Sequence, residues 1–281
     1  MKLVTTSQMR AIEKEADSRG VSYDQMMENA GRGLAEIVHA LGRENGWEEI
    51  TGIVGSGNNG GDTLVALTWL ASAGWRAHVY LVNRKDDELV SRYLEAGGEV
   101  ARAAGDVDAE MDPPPFVAAV DCPSGVDCDT GEVADETIPA DLTITMAAVK
   151  AGLLKLPAFE LVGALETVEI GLPAGLDAWN EVKTEVADWG MVSALLPERT
   201  PASHKGTFGT AFVVAGSPSY TGAALLAGKA AYRAGAGLAA MAVPEPLHAA
   251  LAGHIPEAIW VLLPHENSFV SEVAAEVVLS N

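Results

Sequence analysis

The 281-residue chain is long enough for one large domain or two medium ones. Its 39 acidic and 18 basic residues give a net charge of −21, which excludes nucleic acid as an expected partner because phosphate binding needs a clustered basic face. No apolar run is long enough to span a bilayer, and the N-terminus lacks the layout of a signal peptide. We therefore expect a cytoplasmic protein with no membrane partner, and we interpret Cys122 and Cys128 as structural thiols.

Hydrophobic periodicity predicts alternating helices and strands in the first part of the chain. Two amphipathic helices come first, at 7–19 and 23–43, and the second starts at the capping pattern Ser22–Gln25. A glycine loop then joins the apolar strand 50–54 to a helix with leucines at every third position. The next predicted elements are strand 77–83, helix 86–97, and strands 116–121, 142–146 and 165–170. This alternation indicates a doubly wound α/β sheet, in which ligands bind at the carboxyl ends of the strands.

The sequence changes character after residue 175. Residues 176–203 show little strand pattern and are predicted to form a linker with one helix. A second βαβ pattern follows, with strand 209–215, helix 222–234 and strand 238–244. This part offers about three strands, which is few for a complete α/β domain. We therefore predict a domain over 1–175, a linker over 176–203 and an incomplete α/β domain over 204–281.

The stretch GSGNNGGD at 55–62 contains the pattern G-x-G-x-x-G. A glycine loop between a strand and a helix is an anion site, because free N–H groups and the helix dipole point outward together. A dinucleotide loop also needs an acidic residue about twenty positions further on, where this chain has Asn83–Arg84. Asn58, Asn59 and Asp62 are better suited to a cation or to sugar and amide groups. An NADP-dependent oxidoreductase stays as an alternative. It predicts hydride transfer and a tight dinucleotide complex that needs no metal ion such as potassium.

A second cluster of polar residues lies in FVAAVDCPSGVDCDTGEV at 116–133. A buried strand ends on Asp121, and a carboxylate at that place points into the ligand crevice, where burial can tune it as a general base. Ser124 and carbonyl groups of the turn can bind a hard cation. Asp127 and Asp129 follow the turn. The alternative is an ordinary Asp/Pro/Gly turn with solvated charges.

Four motifs occur in one order along the chain and closely resemble the NAD(P)H-hydrate (NAD(P)HX) epimerase family. They are MMENAGRGLAE at 26–36, GSGNNGGD at 55–62, VDCPSGVDCDTGEV at 120–133 and ADLTITMAAVKAGLL at 140–154. Residues 203–245 resemble the start of the ADP-dependent NAD(P)HX dehydratase. The resemblance implies a Rossmann-like three-layer sandwich followed by an incomplete ribokinase-like α/β domain. The two activities, an isomerase and a lyase, are commonly fused in one nicotinamide-repair enzyme.

The resemblance also implies a substrate and roles for individual residues. The substrate would be NADH or NADPH hydroxylated at C6; the epimerase interconverts its R and S forms, and the dehydratase removes water from the S form with ADP or ATP. Asp121 would be the acid/base group and contact the substrate, Asn59 and Ser124 would bind K⁺, and Ala224 would touch the dehydratase substrate. The residues that would hold the hydrated nucleotide are Asn58, Asn59, Gly60, Gly61 and Asp62. We also expect a homo-oligomer.

The sequence departs from the family pattern in three places. Residues 101–115 contain no D-A-x-F-G-T-G segment, which would supply another potassium ligand and a phosphate loop. Thr63 replaces a usual glycine and is expected to crowd the loop, and the catalytic G-T-G-D motif of the dehydratase would lie beyond Asn281. We therefore expect no dehydratase activity from this chain alone and reduced or absent epimerase activity. A catalytically degenerate nucleotide-binding protein of the same family is a second alternative.

Overall fold

The computed structural model describes residues 1–101 and 115–280. Contacts divide the chain into two compact units, Met1–Ala194 and Leu195 to the end of the chain. Leu176 and Val182 are buried in the hydrophobic core of the first unit, so its packed part extends into the range predicted to be a linker. The missing segment inferred at 101–115 falls almost wholly outside the described residues, and its effect stays a prediction.

Helices and parallel strands alternate in the first part of the first unit, as the sequence predicted, and four strands with no α-helix between them follow after residue 115 in the described chain. Its elements in chain order are β1 (Leu3–Val4), α1 (Thr6–Ser18), α2 (Tyr23–Asn45), β2 (Glu49–Val54), α3 (Asn58–Ser72), β3 (Arg76–Leu81), α4 (Glu88–Glu95), β4 (Glu99–Ala101), β5 (Ala118–Val120), β6 (Leu142–Met146), β7 (Val149–Lys150), β8 (Ala164–Val168) and α5 (Asp177–Glu181), with α6 (Trp189–Leu195) at the boundary between the units. The α/β class of the first unit is thereby confirmed.

Local sequence signals account for the first two helices. Thr5 caps α1 in a reciprocal capping box with Gln8. Ser22 caps α2 by accepting a hydrogen bond from the backbone amide of Gln25 at 3.2 Å, as the capping pattern predicted. α2 ends at Gly46, which adopts the left-handed conformation that glycine tolerates.

The strands of the first unit form parallel sheets whose carboxyl ends carry the functional motifs. One sheet has the order β2-β3-β4 and another has the order β5-β6-β8; β1 pairs with β7 in parallel. β2 ends at Val54, immediately before the glycine turn, and β5 ends at Val120, immediately before Asp121. Such ends are where ligands bind in open α/β sheets.

Two hydrophobic cores support this arrangement. The larger core packs α1 and α2 against α3, β6 and β8, and the smaller one packs α3 and α4 against β2 and β3. The fully buried Tyr93 belongs to the smaller core. Its hydroxyl donates to the carbonyl of Ala77 at 2.5 Å and accepts from the amide of Glu99 at 3.1 Å, so it ties α4 to two neighbouring strands.

The second unit has a three-stranded parallel sheet, in agreement with the three strands predicted. Its elements are β9 (Thr210–Val214), α7 (Thr221–Ala234), β10 (Leu238–Pro244), α8 (Glu245–Leu251), β11 (Ile259–Leu263), β12 (His265–Glu266), β13 (Phe269–Val270) and α9 (Ala274–Ser280). The sheet order is β11-β10-β9, and β12 and β13 form a short antiparallel hairpin. In the described ranges of both units, no helix is long and apolar enough to cross a membrane.

Candidate functional site

The glycine motif forms a turn followed at once by a helix. α3 begins at Asn58, so the residues predicted to lie in a loop, 58–62, are its first helical turns. A Cβ at Gly60 would lie 2.1 Å from the carbonyl oxygen of Gly55, so only glycine lets the helix start directly beneath the turn. The cap residue of the helix is Gly57, which has no side chain that could accept a hydrogen bond from the first amides. The first amides of α3 therefore have neither an intrahelical acceptor nor a capping side chain, and they form an anion-receptive helix start.

Arg84 braces this turn. Its Nη1 donates to the carbonyl of Gly55 at 3.0 Å, and its Nη2 lies 2.7 Å from Oδ2 of Asp87. The side chain of Arg84 is only 9% exposed. An oxidoreductase would need this guanidinium for a 2′-phosphate, but here it holds the backbone of the glycine turn.

Asp121 stands at the carboxyl end of β5 in a left-handed backbone conformation, with φ of 66°. Its Oδ1 accepts hydrogen bonds from Thr145 Oγ1 at 3.0 Å, from the amide of Met146 at 3.1 Å, and from the ammonium of Lys150. Its Oδ2 accepts no hydrogen bond from the described residues, and the side chain is 18% exposed. One oxygen is thus fixed by three donors while the other stays available to a ligand.

Lys150 is the buried counter-charge of Asp121, and the sequence analysis did not single it out. Only 3% of its side chain is exposed. Besides Asp121, its ammonium contacts Thr145 Oγ1 at 3.1 Å and the carbonyl of Met146 at 2.9 Å. The pairing of β7 with β1, which sets Lys150 opposite Val4, holds the lysine in place. A lysine at the end of the apolar run LTITMAAVK was the available signal, since a buried ammonium requires partners.

Two further carboxyl groups lie within electrostatic range of this pair. Asp62, on α3, is 7% exposed and has no hydrogen-bond partner among the described residues. Burial raises the pKa of Asp62 from its ordinary 3.8 to about 7, and the negative charges of Asp121 and Glu13 add to the rise, while Lys150 opposes it. Burial also raises the pKa of Glu13, on α1, against the opposing charge of Lys150. Sequence reasoning found Asp62 but missed Glu13.

The residues expected to bind potassium occupy the same edge of the first unit. Asn59 Nδ2 donates to the carbonyl of Val120 at 3.3 Å, which joins the start of α3 to the end of β5. Asn59 Oδ1 and the exposed Ser124 Oγ make no hydrogen bond with the described residues, and neutral oxygens of this kind are what K⁺ takes as ligands. In the same described ranges, no cluster of three or more His, Cys, Asp or Glu could hold a metal ion. The hydroxyl of Thr63 donates to the carbonyl of Asn59 at 2.7 Å within the helix, and its expected crowding of the loop stays a prediction.

The other acidic residues of the 116–133 segment hold the backbone. Asp127 Oδ1 accepts the amides of Asp129 and Thr130 at 2.9 and 2.7 Å, and these bonds lower the pKa of Asp127. Asp129 Oδ1 accepts the amide of Thr6 at 2.6 Å, so this carboxylate anchors the start of α1. The turn reading of these two residues fits the structure, whereas Asp121 belongs to the site.

In the second unit, the structure places Ala224 in the hydrophobic core between α7 and the sheet. Ala224 is 0% exposed and packs in one cluster with Met241 and Val243. Its expected contact with a dehydratase substrate stays a prediction.

The fold and the site together define an α/β protein with an acidic, lysine-paired cluster beside a helix start suited to anions. Residues 23–115 and 96–152 match the family described as YjeF-related protein N-terminus, and residues 211–279 match the family described as NAD(P)H-hydrate dehydratase. The chain therefore belongs to the family that joins these two domains, as the four motifs predicted.

Curated relatives match along almost the whole chain. The bifunctional NAD(P)H-hydrate repair enzymes Nnr of Moorella thermoacetica and Thermofilum pendens are each 32% identical over 94% of this chain, and that of Salinibacter ruber is 31% identical over 93%. The chain covers 58%, 57% and 58% of these relatives, so it spans a little over half of their length. The yeast protein ynu0 (YNL200c) has a similar fold, with a TM-score of 0.54 and 19% identity, over 67% of this chain and 96% of its own.

Proposed function

We propose that the first unit epimerises the R and S forms of hydrated NADH or NADPH, with Asp121 as the proton acceptor. The observation that carries the proposal is the state of Asp121: three donors fix its Oδ1, and its Oδ2, beside the start of α3, accepts no hydrogen bond from the described residues. The membership of the chain in the hydrate-repair family supports this choice of substrate.

The substrate is an anionic dinucleotide, and the site offers backbone groups to receive it. The start of α3 presents free amides and the positive end of the helix dipole to a phosphate group. This suits a chain of net charge −21, which cannot attract a dinucleotide with a field of lysines. Asn58, Asn59, Gly60 and Gly61 would line the bound nucleotide.

The donor atoms present fit potassium as an accessory ion. Asn59 Oδ1 and Ser124 Oγ would hold K⁺, and substrate oxygens would complete its shell. The ion would supply positive charge that orients the phosphates and ribose. Asp121 lies on the same turn as Ser124, so the ion would fix the substrate relative to the reacting carboxylate.

The chemistry asks for one proton acceptor and one proton donor. The hydrated ring carries its hydroxyl on C6 beside a ring nitrogen, so C6 is a hemiaminal carbon whose configuration inverts when a bond to it breaks and re-forms. A carboxylate within hydrogen-bond reach of that hydroxyl accelerates such proton transfers by about 10²–10⁴-fold. Asp121 Oδ2 is the group with the freedom to make this contact.

For the second unit, we propose a part in the ADP- or ATP-dependent dehydration of the S form, which its match to the dehydratase family supports. The expectation that this chain alone does not dehydrate its substrate is checked by adding ADP to S-NADPHX and following NADPH absorbance. A return of that absorbance would contradict the expectation.

Separated R- and S-NADPHX, followed by chromatography and by calorimetry, test the epimerase proposal. We expect each epimer to bind and to convert into the other, with conversion lost in Asp121→Ala. Binding without conversion would instead identify a catalytically degenerate nucleotide-binding protein. Absence of both, together with hydride transfer from unmodified NADPH, would identify an oxidoreductase and overturn the proposal.

A further inference from the structure

We propose that Lys150 is a positioning residue for two aspartates. Because it pairs with Asp121 and not with Asp62, Asp121 acts as the proton acceptor and Asp62 as the proton donor. The inference rests on the epimerase function proposed above. It assigns a role to a lysine that lies within the motif at 140–154 and was given no role there.

All three hydrogen-bond donors of the Lys150 ammonium are in use. An ammonium carries three donors, and those of Lys150 face Asp121 Oδ1, Thr145 Oγ1 and the carbonyl of Met146. The lysine is 3% exposed, so water cannot replace these partners freely. Of the three carboxyl groups, only Asp121 forms an ion pair with Lys150 in the described part of the chain.

Asp62 lacks the hydrogen-bond donors that a buried, ionised carboxylate needs. It is 7% exposed, and no described residue donates a hydrogen bond to it. A buried carboxylate without donors is unstable as an anion, so the proton stays on this group. The pKa of Asp62, raised to about 7, agrees with the geometry.

The charged groups that act on Asp62 come from three different elements. Asp121, after β5, and Glu13, on α1, both raise the pKa of Asp62, whereas Lys150, on β7, lowers it. Arg10, also on α1, acts on Glu13. A buried carboxyl group without a described donor beside a carboxylate held by three donors is the pattern of an acid/base pair.

The roles give a balanced reaction. Asp62 passes its proton to the C6 hydroxyl, the C6–O bond breaks with its electron pair, and water leaves while the lone pair of N1 forms a C6–N1 double bond. Water then adds to the opposite face of C6, the double-bond pair returns to N1, and the released proton goes to Asp121 Oδ2. Solvent carries this proton back to Asp62, so a full cycle changes only the configuration at C6.

Infrared titration of the whole chain measures the proton on Asp62 directly. The protonated-carboxyl band that disappears in Asp62→Asn should titrate near pH 7 in the wild type. Lys150→Met should move this titration to higher pH, since the lysine charge lowers the pKa of Asp62, and Asp121→Asn should move it to lower pH. An Asp62 titration that stays at the same pH in these variants, or that moves in the opposite direction, would overturn the inference. If Lys150→Met does not fold, Asp121→Asn carries the same test in the opposite direction.

Steady-state kinetics then test whether the arrangement serves catalysis. Lys150→Met should lower kcat about 100-fold or more with little change in KM, and Lys150→Arg should recover at least about tenfold of this loss. Lys155→Met is the matched control, because Lys155 is an exposed lysine five residues further along the chain, and it should keep wild-type activity. A Lys150→Met enzyme within about threefold of the wild-type kcat would refute the positioning role.

The two experiments separate this inference from the proposed function. Wild-type protein that never equilibrates R- and S-NADPHX would refute the epimerase function, whatever the infrared data show. An active wild type whose Asp62 titration ignores Lys150 would refute only the assignment made here.

Discussion

Asp62→Asn should make the protein more stable, and more so as the pH rises. Asparagine has nearly the shape of aspartate but cannot ionise. The substitution therefore removes the cost of placing a negative charge at a 7%-exposed position to which no described residue donates a hydrogen bond. A pKa raised from 3.8 to about 7 corresponds to about 4 kcal/mol, at about 1.4 kcal/mol for each tenfold change in the ionisation equilibrium.

The direction of the change in stability with pH follows from which state, folded or unfolded, holds the proton of Asp62. Below about pH 4, the folded and unfolded states both hold the proton, and the full stabilising contribution of Asp62 is present. As the pH rises towards about 7, the unfolded chain releases the proton while the folded protein keeps it, so the free energy of unfolding of the wild type falls. Above about pH 7 both states are ionised and the loss is complete.

Urea unfolding at pH 5 and pH 8 is the assay. Tryptophan fluorescence follows mainly the first unit, which contains five of the six tryptophans. The stability advantage of Asp62→Asn over the wild type should grow by about 3 kcal/mol between these two pH values, the part of the titration that lies between them. Asp86→Asn, at an exposed carboxylate, should show a difference within about 0.5 kcal/mol at both. An advantage independent of pH would refute the burial argument.

The remaining predictions concern the scaffold of the site. Gly60→Ala should abolish nucleotide binding measured by calorimetry, because the new Cβ would lie 2.1 Å from a backbone carbonyl oxygen. Gly61→Ala is the control: its Cβ would meet only the flexible end of Met27, so binding should stay measurable. Tyr93→Phe should lower the free energy of urea unfolding by about 1–3 kcal/mol, since it leaves buried peptide groups unpaired; an unchanged midpoint would contradict this. Arg84→Ala should weaken binding of NADPHX and of unmodified NADPH alike by loosening the glycine turn, and loss confined to NADPH would argue for 2′-phosphate recognition instead.

Apolar periodicity was sufficient to predict the main elements. Strand 142–146 has its predicted bounds, because five consecutive buried residues leave a clear signal. The start of α3 was placed too late, since Asn and Gly are poor helix formers and the pattern GSGNNGGD looks like a loop. Close approach of backbone to backbone at Gly60 decides that position, and such an approach is a tertiary effect.

Half of the acid/base cluster was visible in the sequence and half was not. Asp121 follows a predicted strand, so the rule for carboxyl ends found it, whereas Asp62 was found as a polar residue of the glycine motif and was not given an acid/base role. Lys150 lies on β7, a two-residue strand that pairs with β1 at positions 146 residues away in the sequence (Leu3 with Val149, Val4 with Lys150), and Glu13 lies on α1, which follows β1. A pairing between two-residue strands leaves no local sequence pattern from which it could be predicted. A lysine or glutamate next to apolar residues also does not indicate which residue it will pair with.

Proton NMR of pure R-NADPHX shows directly whether the first unit is an epimerase. We expect the wild-type chain to bring the R and S forms to equilibrium much faster than buffer does. Asp121→Asn, which keeps the shape of the side chain, should reduce this acceleration by about 100-fold or more. Equilibration at the buffer rate with wild-type protein, or undiminished catalysis in Asp121→Asn, would contradict this expectation.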